Sequence, residues 1–187
     1  MKALIVVDCQ YDFMPGGALA VPEGDQIVSK IAAMKSSFDA VIFTQDWHPI
    51  NHCSFQVFGG PWPAHCIQNT PGAALAEGLY VPGKDFIIPK GFHEGVDSYS
   101  GFWDNERKHQ TGLDALLKQI KIDSVYICGL ATNFCVKFTA LDAIDAGYKT
   151  SLVLEACRGL DIQPGDVDRS VQEMRDKGVE IIPFVLV

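Results

Sequence analysis

Short apolar segments that alternate with helical patterns constrain the fold of this chain more than any other feature. The segments are continuous runs rich in Val, Ile and Phe, which is typical of strands buried on both faces of a parallel sheet. They cover residues 3–7, 40–44, 86–88, 124–128, 151–154 and 180–184. Helical patterns lie between most of them, at 26–36, 113–120, 132–146 and 167–177. The sequence therefore predicts an α/β fold with a mostly parallel sheet.

The length of 187 residues suits one domain with a single sizeable core, and no composition shift marks a linker. We therefore expect one domain over 1–187. Three long segments, 9–25, 45–73 and 91–110, have no regular pattern. Long irregular loops in a compact domain are usually functional or mobile.

Charge and cysteine usage exclude several classes of protein. The formal net charge is −8 and there is no run of Lys or Arg, which argues against nucleic acid or an anionic membrane as a partner. The apolar start is too short for a signal peptide or a membrane span, so we expect a cytoplasmic protein. None of the six cysteines forms a CxxC pair, and in that compartment they should be reduced.

Chemically capable side chains follow the predicted strands. Asp8 follows the first, Asp46 and His48 the second, and Lys90 the third, while Cys135 lies a short way past the fourth. Ligands bind outside the carboxyl ends of the strands in such sheets. We therefore expect these side chains to converge on one edge.

Cys135 lies where a strand pattern passes into a helical one. A helix start lowers a thiol pKa and stabilises a developing oxyanion. Asp8 and Lys90 would then help to make the thiol a nucleophile. Taken singly, Asp8 is as well explained by bonds to loop backbone, and Lys90 by a solvated surface position.

Asp46, His48, His52 and His65 form a second group of interest. One carboxylate and two or three imidazoles suit Zn²⁺, Fe²⁺ or Mn²⁺, although a loop histidine is often only a surface or capping group. The aromatic residues of the long loops either close small local cores or wall a pocket for a flat ring. No phosphate-binding motif of the GxxxxGK[ST] or GxGxxG type occurs.

Five segments together resemble the nicotinamidase/pyrazinamidase family of the isochorismatase-like cysteine hydrolase superfamily. In chain order they read ALIVVDCQYDFMPGGALAV, TQDWHP, PWPAHC, IPKG and GLATNFCVKFTALDA. The resemblance implies a single-domain three-layer sandwich, with a six-stranded mostly parallel sheet and helices on both faces.

The resemblance also implies roles for particular residues. The catalytic triad maps onto Asp8, Lys90 and Cys135, with the backbone N–H groups of Ala131 and Cys135 as the oxyanion hole beside a cis Leu130–Ala131 peptide. The metal ligands map onto Asp46, His48 and His65, with His52 and Ser54 as rival candidates for a fourth position. The substrate-binding wall maps onto a set of apolar and aromatic side chains: Phe13, Leu19, Trp62, Tyr99, Leu130 and Phe134.

The implied activity is hydrolysis of nicotinamide to nicotinate and ammonia through a cysteine thioester, as in NAD salvage, with pyrazinamide-like analogues as further substrates. The implied cofactor is one divalent metal ion, Zn²⁺ before Fe²⁺ or Mn²⁺. Three alternatives stand beside this reading: an N-carbamoylsarcosine- or ureidoacrylate-type amidase, a metal-water hydrolase with a structural Cys135, and a non-catalytic small-molecule-binding relative. The sequence does not distinguish a monomer from a homo-oligomer.

Overall fold

The computed structural model describes residues 1–184 and is built on one six-stranded sheet. Every strand pair is parallel, and the order across the sheet is β3-β2-β1-β4-β5-β6. The strands are β1 (Lys2–Val7), β2 (Ala40–Asp46), β3 (Phe86–Lys90), β4 (Ser124–Leu130), β5 (Lys149–Arg158) and β6 (Glu180–Ile182). The six predicted strands are confirmed. Most extend beyond the apolar runs, because polar residues at strand ends pair through the same backbone bonds.

The central strand shows why the apolar runs are continuous. β1 pairs with β2 on one side and with β4 on the other, so that Val6 lies between Phe43 and Cys128. Its residues from Ala3 to Val7 are fully buried. A strand covered on both faces has no solvent side for polar residues.

Four helices cover the sheet: α1 (Val28–Met34), α2 (Leu113–Gln119), α3 (Lys137–Asp145) and α4 (Asp166–Asp176). Right-handed crossovers place α1 on one face, because β1 to β2 runs in the opposite direction to the later connections. The other three lie on the opposite face, where α3 packs against α4 and Tyr148, just before β5, donates to Asp114 of α2 at 2.8 Å. The predicted helices on both faces are confirmed.

One predicted helix begins differently. Residues Thr132–Val136 form a wide turn of π-helix, and regular α-helix starts only at Lys137. Within the turn, Phe134 has a non-helical backbone (φ −122°, ψ −107°). Cys135 therefore lies in a distorted turn before α3 rather than in the first turn of a regular helix.

The strand order reverses between β1 and β4, and this creates the crevice in which ligands bind in open parallel sheets. Asp8 follows β1 at this point, and Cys135 follows β4. Asp46 and Lys90 are the last residues of β2 and β3, on the same side. Within residues 1–184, no helix combines the length and the apolarity needed to cross a membrane.

Candidate active site

Lys90 lies at the centre of the crevice with its side chain fully buried. Its Nζ pairs with Oδ1 of Asp46 and lies 2.9 Å from Oδ2 of Asp8. It also donates to the Ser98 carbonyl at 2.8 Å and to Sγ of Cys135 at 3.5 Å. Burial disfavours the ammonium, but the charges of Asp46 and Asp8 outweigh it, so the pKa of Lys90 lies well above its usual value. One permanent positive charge thus holds two carboxylates and a thiol together.

Asp8 is fully buried in a left-handed backbone conformation (φ +48°). Thr44 of β2 holds it twice: the Thr44 hydroxyl donates to Oδ1 at 2.6 Å and accepts from the Asp8 N–H at 3.2 Å. Burial raises the pKa of Asp8 from 3.8 to about 6, although Lys90 opposes the increase. An ionised Asp8 near neutrality is therefore a base with a proton affinity suited to transfer in both directions.

The Cys135 thiol does not have the lowered pKa predicted from its place at a helix start. Burial raises the pKa of Cys135 well above the ordinary value, and Asp8 and Asp46 add to this, while Lys90 opposes it. The prediction is wrong because it weighed the helix end alone, whereas the folded site surrounds the sulfur with apolar atoms and two carboxylates. The resting sulfur is a thiol and needs a base. Asp8 supplies one, since Asp8, Asp46 and Cys135 each present an atom within 4.8 Å of the other two.

Asp46, His48 and His65 present three donor atoms within 4.8 Å of one another. The Nε2 atoms of His48 and His65 lie 3.5 and 3.9 Å from Oδ2 of Asp46. The Nδ1 atoms face backbone carbonyls, of Gly91 at 2.7 Å and of Pro63 at 2.8 Å. An imidazole that donates from Nδ1 to a carbonyl leaves its Nε2 lone pair directed inward, as metal-ligating histidines do. The residues present therefore fit a divalent cation.

The two candidates for a fourth ligand, His52 and Ser54, contact each other. Nδ1 of His52 is 2.7 Å from the Ser54 hydroxyl, and Nε2 is 3.3 Å from the Val96 carbonyl. The His52 ring stacks on that of His48, with centroids 4.1 Å apart. His52 instead forms a second trio with His48 and Asp97, again with donor atoms within 4.8 Å. The structure therefore places His52 in a trio without Asp46 and His65, and it pairs Ser54 with His52.

Asp46 joins the two halves of the site, the group around Lys90 and the group of metal donors. Its Oδ1 pairs with Lys90, while its Oδ2 faces the two histidines. The pKa of Asp46 is held below its usual range because the attraction of Lys90 and His48 outweighs the effect of burial. The buried Gln10 amide fixes this residue, accepting from the Asp46 N–H and donating to its carbonyl, both at 2.8 Å.

An apolar cavity opens onto both halves of the site and encloses about 470 Å³, its open mouth included. Five of the six predicted wall residues line it: Phe13, Leu19, Trp62, Tyr99 and Phe134. Trp62 packs edge-on against Phe134 and donates to the Tyr99 hydroxyl at 3.1 Å. Asp46, His65 and Cys135 reach the same cavity.

Leu130 was also predicted to line this wall, but it does not. It is the last residue of β4, fully buried, and its side chain packs beside Gly24, where an added Cβ would lie 3.3 Å from Cδ1. The next residue, Ala131, lines the cavity instead. Of this pair, therefore, Leu130 belongs to the core and Ala131 borders the cavity.

The backbone at Ala131 has the predicted form. The Leu130–Ala131 peptide is cis, and the Ala131 N–H has no hydrogen-bond acceptor among the described residues. Because Ala131 and Cys135 both border the cavity, a free donor lies on the wall that carries the thiol. Such a donor can stabilise an oxyanion.

Sequence reasoning missed several residues of the site. Val21, Asp97 and Leu160 line the cavity, while Thr44 holds the Asp8 carboxylate and Gln10 holds the Asp46 backbone. Asp97 lies in the irregular segment 91–110, where one acid among turn residues is unremarkable. Thr44 and Gln10 act on Asp8 and Asp46, each 36 residues away in the chain, and no local pattern records such contacts.

Comparison with known proteins agrees with this geometry. The family model for the isochorismatase domain matches residues 2–183. The nicotinamidase of Acinetobacter baylyi is 44% identical over 96% of this chain and 91% of its own. The crystal structure of the pyrazinamidase of Pyrococcus horikoshii in complex with zinc is 45% identical with a TM-score of 0.88, covering 98% of this chain and 99% of its own.

A third relative was solved with a small molecule bound. PnC1 of L. infantum, in complex with nicotinate, is 39% identical with a TM-score of 0.91, covering 97% of this chain and 92% of its own. These matches span nearly the full length of each protein. The chain therefore belongs to the isochorismatase family and, within it, to the nicotinamidases.

Proposed function

We propose that this chain hydrolyses nicotinamide to nicotinate and ammonia, with Cys135 as the nucleophile, and that it also accepts pyrazinamide-like analogues. The observation that carries the proposal is the meeting of two groups at one aromatic cavity. The thiol with Asp8 and Lys90 lies on one side, and the donors of Asp46 and His65 on the other. Hydrolysis of this amide is the nicotinate-forming step of NAD salvage.

Asp46, His48 and His65 would hold the metal ion. One carboxylate and two imidazoles form a donor set suited to Zn²⁺, with Fe²⁺ and Mn²⁺ as alternatives. The zinc-bound pyrazinamidase relative supports this choice. When bound, the ion supplies a Lewis-acid position for the pyridine nitrogen of the substrate.

The protein positions the carboxamide for attack. The ring fits between Phe13, Trp62 and Phe134, which border the cavity. A flat ring anchored at its nitrogen leaves the carboxamide facing the thiol, and such orientation removes much of the entropic barrier to attack.

Acylation begins with proton transfer from the Cys135 thiol to Asp8. The thiolate attacks the amide carbon, and the Ala131 N–H stabilises the oxyanion together with the N–H of Cys135. Asp8 then returns the proton to the departing nitrogen, so ammonia leaves and a thioester remains. A water molecule, deprotonated by Asp8, hydrolyses the thioester to nicotinate and restores the thiol.

Lys90 keeps its charge through the whole cycle. Its Nζ contacts Asp8, Asp46 and Cys135 at once, so it stabilises whichever of Asp8 and Cys135 carries the negative charge. The pair can therefore exchange a proton without a change in net charge at the buried centre.

The geometry favours this function over the alternatives. Substrates of N-carbamoyl and ureido amidases have no ring nitrogen to anchor, so the donors of Asp46 and His65 at the cavity would have no role in such enzymes. In a metal-water hydrolase, a buried thiol between a lysine and an aspartate would have no task. A non-catalytic binding protein would need neither the metal donors nor the thiol beside a base.

Ammonia release from nicotinamide, compared with benzamide and N-carbamoyl compounds, tests the proposal. We expect nicotinamide to be preferred, and Cys135→Ala to lose about 10⁴-fold or more in kcat while it still folds and binds metal. Cys128→Ala is the matched control, because it removes an equally buried thiol outside the cavity and should keep turnover. Preference for a ureido substrate, or substantial turnover by Cys135→Ala, would overturn the proposal.

A further inference from the structure

Asp97 is a carboxylate of the cavity that the proposed mechanism does not use. It lies in the connection between β3 and α2 and borders the cavity beside Asp46 and His65. Its carboxylate has an atom within 4.8 Å of donor atoms of both His48 and His52. It therefore flanks the metal group on the side that faces the ligand.

The backbone around Asp97 is held in place by the site itself. Its carbonyl accepts from the Asn105 N–H at 2.8 Å. The carbonyl of Ser98, the next residue, accepts from Lys90, and that of Val96, the preceding residue, faces His52 at 3.3 Å. The carboxylate is therefore presented by a fixed segment.

The charges of the metal group leave a role for the Asp97 carboxylate, which is to balance the positive charge of a bound ion. Asp46 is its one acidic ligand, and Lys90 already neutralises it through Oδ1. The two histidines bind a cation as neutral groups, so a divalent ion would keep most of its charge uncompensated. In the described part of the chain, the Asp97 carboxylate accepts one hydrogen bond, from the Ser98 N–H at 2.8 Å, and forms no ion pair with Lys or Arg.

We propose that Asp97 is the second anionic group of the metal centre, a positioning residue that strengthens the binding of a divalent cation to Asp46, His48 and His65. It would act through its negative charge beside the three ligands, not as one of them. The inference rests on the proposed metal site but not on the identity of the substrate.

Zinc affinity of the full-length protein tests this role. Protein stripped with a chelator is titrated with Zn²⁺ against a competing chromophoric chelator. Asp97→Asn, which keeps the shape and removes the charge, should raise the Kd for zinc by about 10- to 100-fold, the usual effect of losing an outer partner of a metal site. Asp97→Glu should recover most of the affinity. Glu94→Gln removes the same charge from an exposed position of the same loop and should leave the Kd unchanged.

Turnover at saturating zinc separates positioning from catalysis. If Asp97 only holds the ion, kcat of Asp97→Asn should return to nearly the wild-type value once the site is filled. A wild-type zinc Kd in Asp97→Asn would overturn the proposal, as would a kcat that stays low at saturating zinc. If Asp97→Asn does not fold, as judged by circular dichroism, Asp97→Ser makes the same comparison.

The proposal about the metal and the proposal about the substrate fail in different ways. Wild-type protein that binds no zinc in this titration would refute the role of Asp97 even if nicotinamide is hydrolysed. Tight zinc binding without nicotinamide hydrolysis would refute the proposed function and leave the role of Asp97 standing.

Discussion

Replacing Thr44 by valine should move the acid limb of the pH–rate profile to higher pH. Thr44 donates to Oδ1 of Asp8 at 2.6 Å, and this bond stabilises the ionised carboxylate. Valine keeps the shape and removes the hydroxyl. Asp8 must be ionised to accept the thiol proton, so a higher pKa of Asp8 means less active enzyme at low pH.

The size of the change follows from one lost hydrogen bond to a charged group. Such a bond is worth about 1.5–3 kcal/mol, and 1.36 kcal/mol corresponds to one pH unit. The limb should therefore move by about one to two pH units from its position near the Asp8 pKa of about 6. At pH values below the limb, kcat/KM should fall by about 10- to 100-fold, while at high pH it should approach that of the wild type.

The assay is ammonia release from nicotinamide at low substrate concentration, over a range of pH, on zinc-loaded enzyme. Thr150→Val is the matched control: this buried threonine donates to the Tyr148 carbonyl at 3.1 Å, away from the cavity. It should lose some stability without a change in the limb. An acid limb that does not move in Thr44→Val would show that Asp8 is not the group whose ionisation limits catalysis.

Two further predictions concern the metal group. His65→Ala should lose zinc and most activity on nicotinamide but little of the weak activity on benzamide, which has no ring nitrogen. Asp46→Ala should lose activity on both amides, because Asp46 also pairs with Lys90, which contacts Asp8 and Cys135. Equal losses on the two amides in His65→Ala, with rates and zinc content measured on the same samples, would contradict the anchoring role of the metal. Gly91→Ala should weaken zinc binding, because Gly91 has φ +63° and an added Cβ would lie 2.5 Å from Cε1 of His48. Gly95→Ala, with open space around the added Cβ, should bind zinc normally, and a wild-type zinc Kd in both variants would refute the argument.

The fold was largely predictable from the sequence, because it depends on local patterns. Continuous apolar runs indicate strands buried on both faces, and the helical patterns between them require parallel crossovers. Since parallel strands end on one side, the meeting of Asp8, Asp46, Lys90 and Cys135 was also predictable. A cytoplasmic location stays a prediction, and the sequence leaves the oligomeric state open.

The chemistry of individual groups depended on the tertiary structure. The sequence pattern favoured a lowered thiol pKa at Cys135, whereas burial beside two carboxylates raises it. Asp46 was predicted as a metal ligand, and the structure adds that its other oxygen pairs with Lys90. These outcomes depend on distances of a few ångströms between residues far apart in the chain, and no local pattern carries them.

Local sequence patterns also do not show which side chains face the ligand. Leu130 and Ala131 are neighbours in the chain, but only the backbone geometry at the end of β4 places Ala131, and not Leu130, beside the cavity. His52 follows His48 closely, yet hydrogen bonds to Ser54 and Val96 direct it to a different trio. The sequence by itself determined which elements form and which residues reach one edge of the sheet, because these follow from periodicity and strand direction. Only the tertiary structure decided what each residue contacts there, because burial, charge and hydrogen bonding are properties of the assembled site.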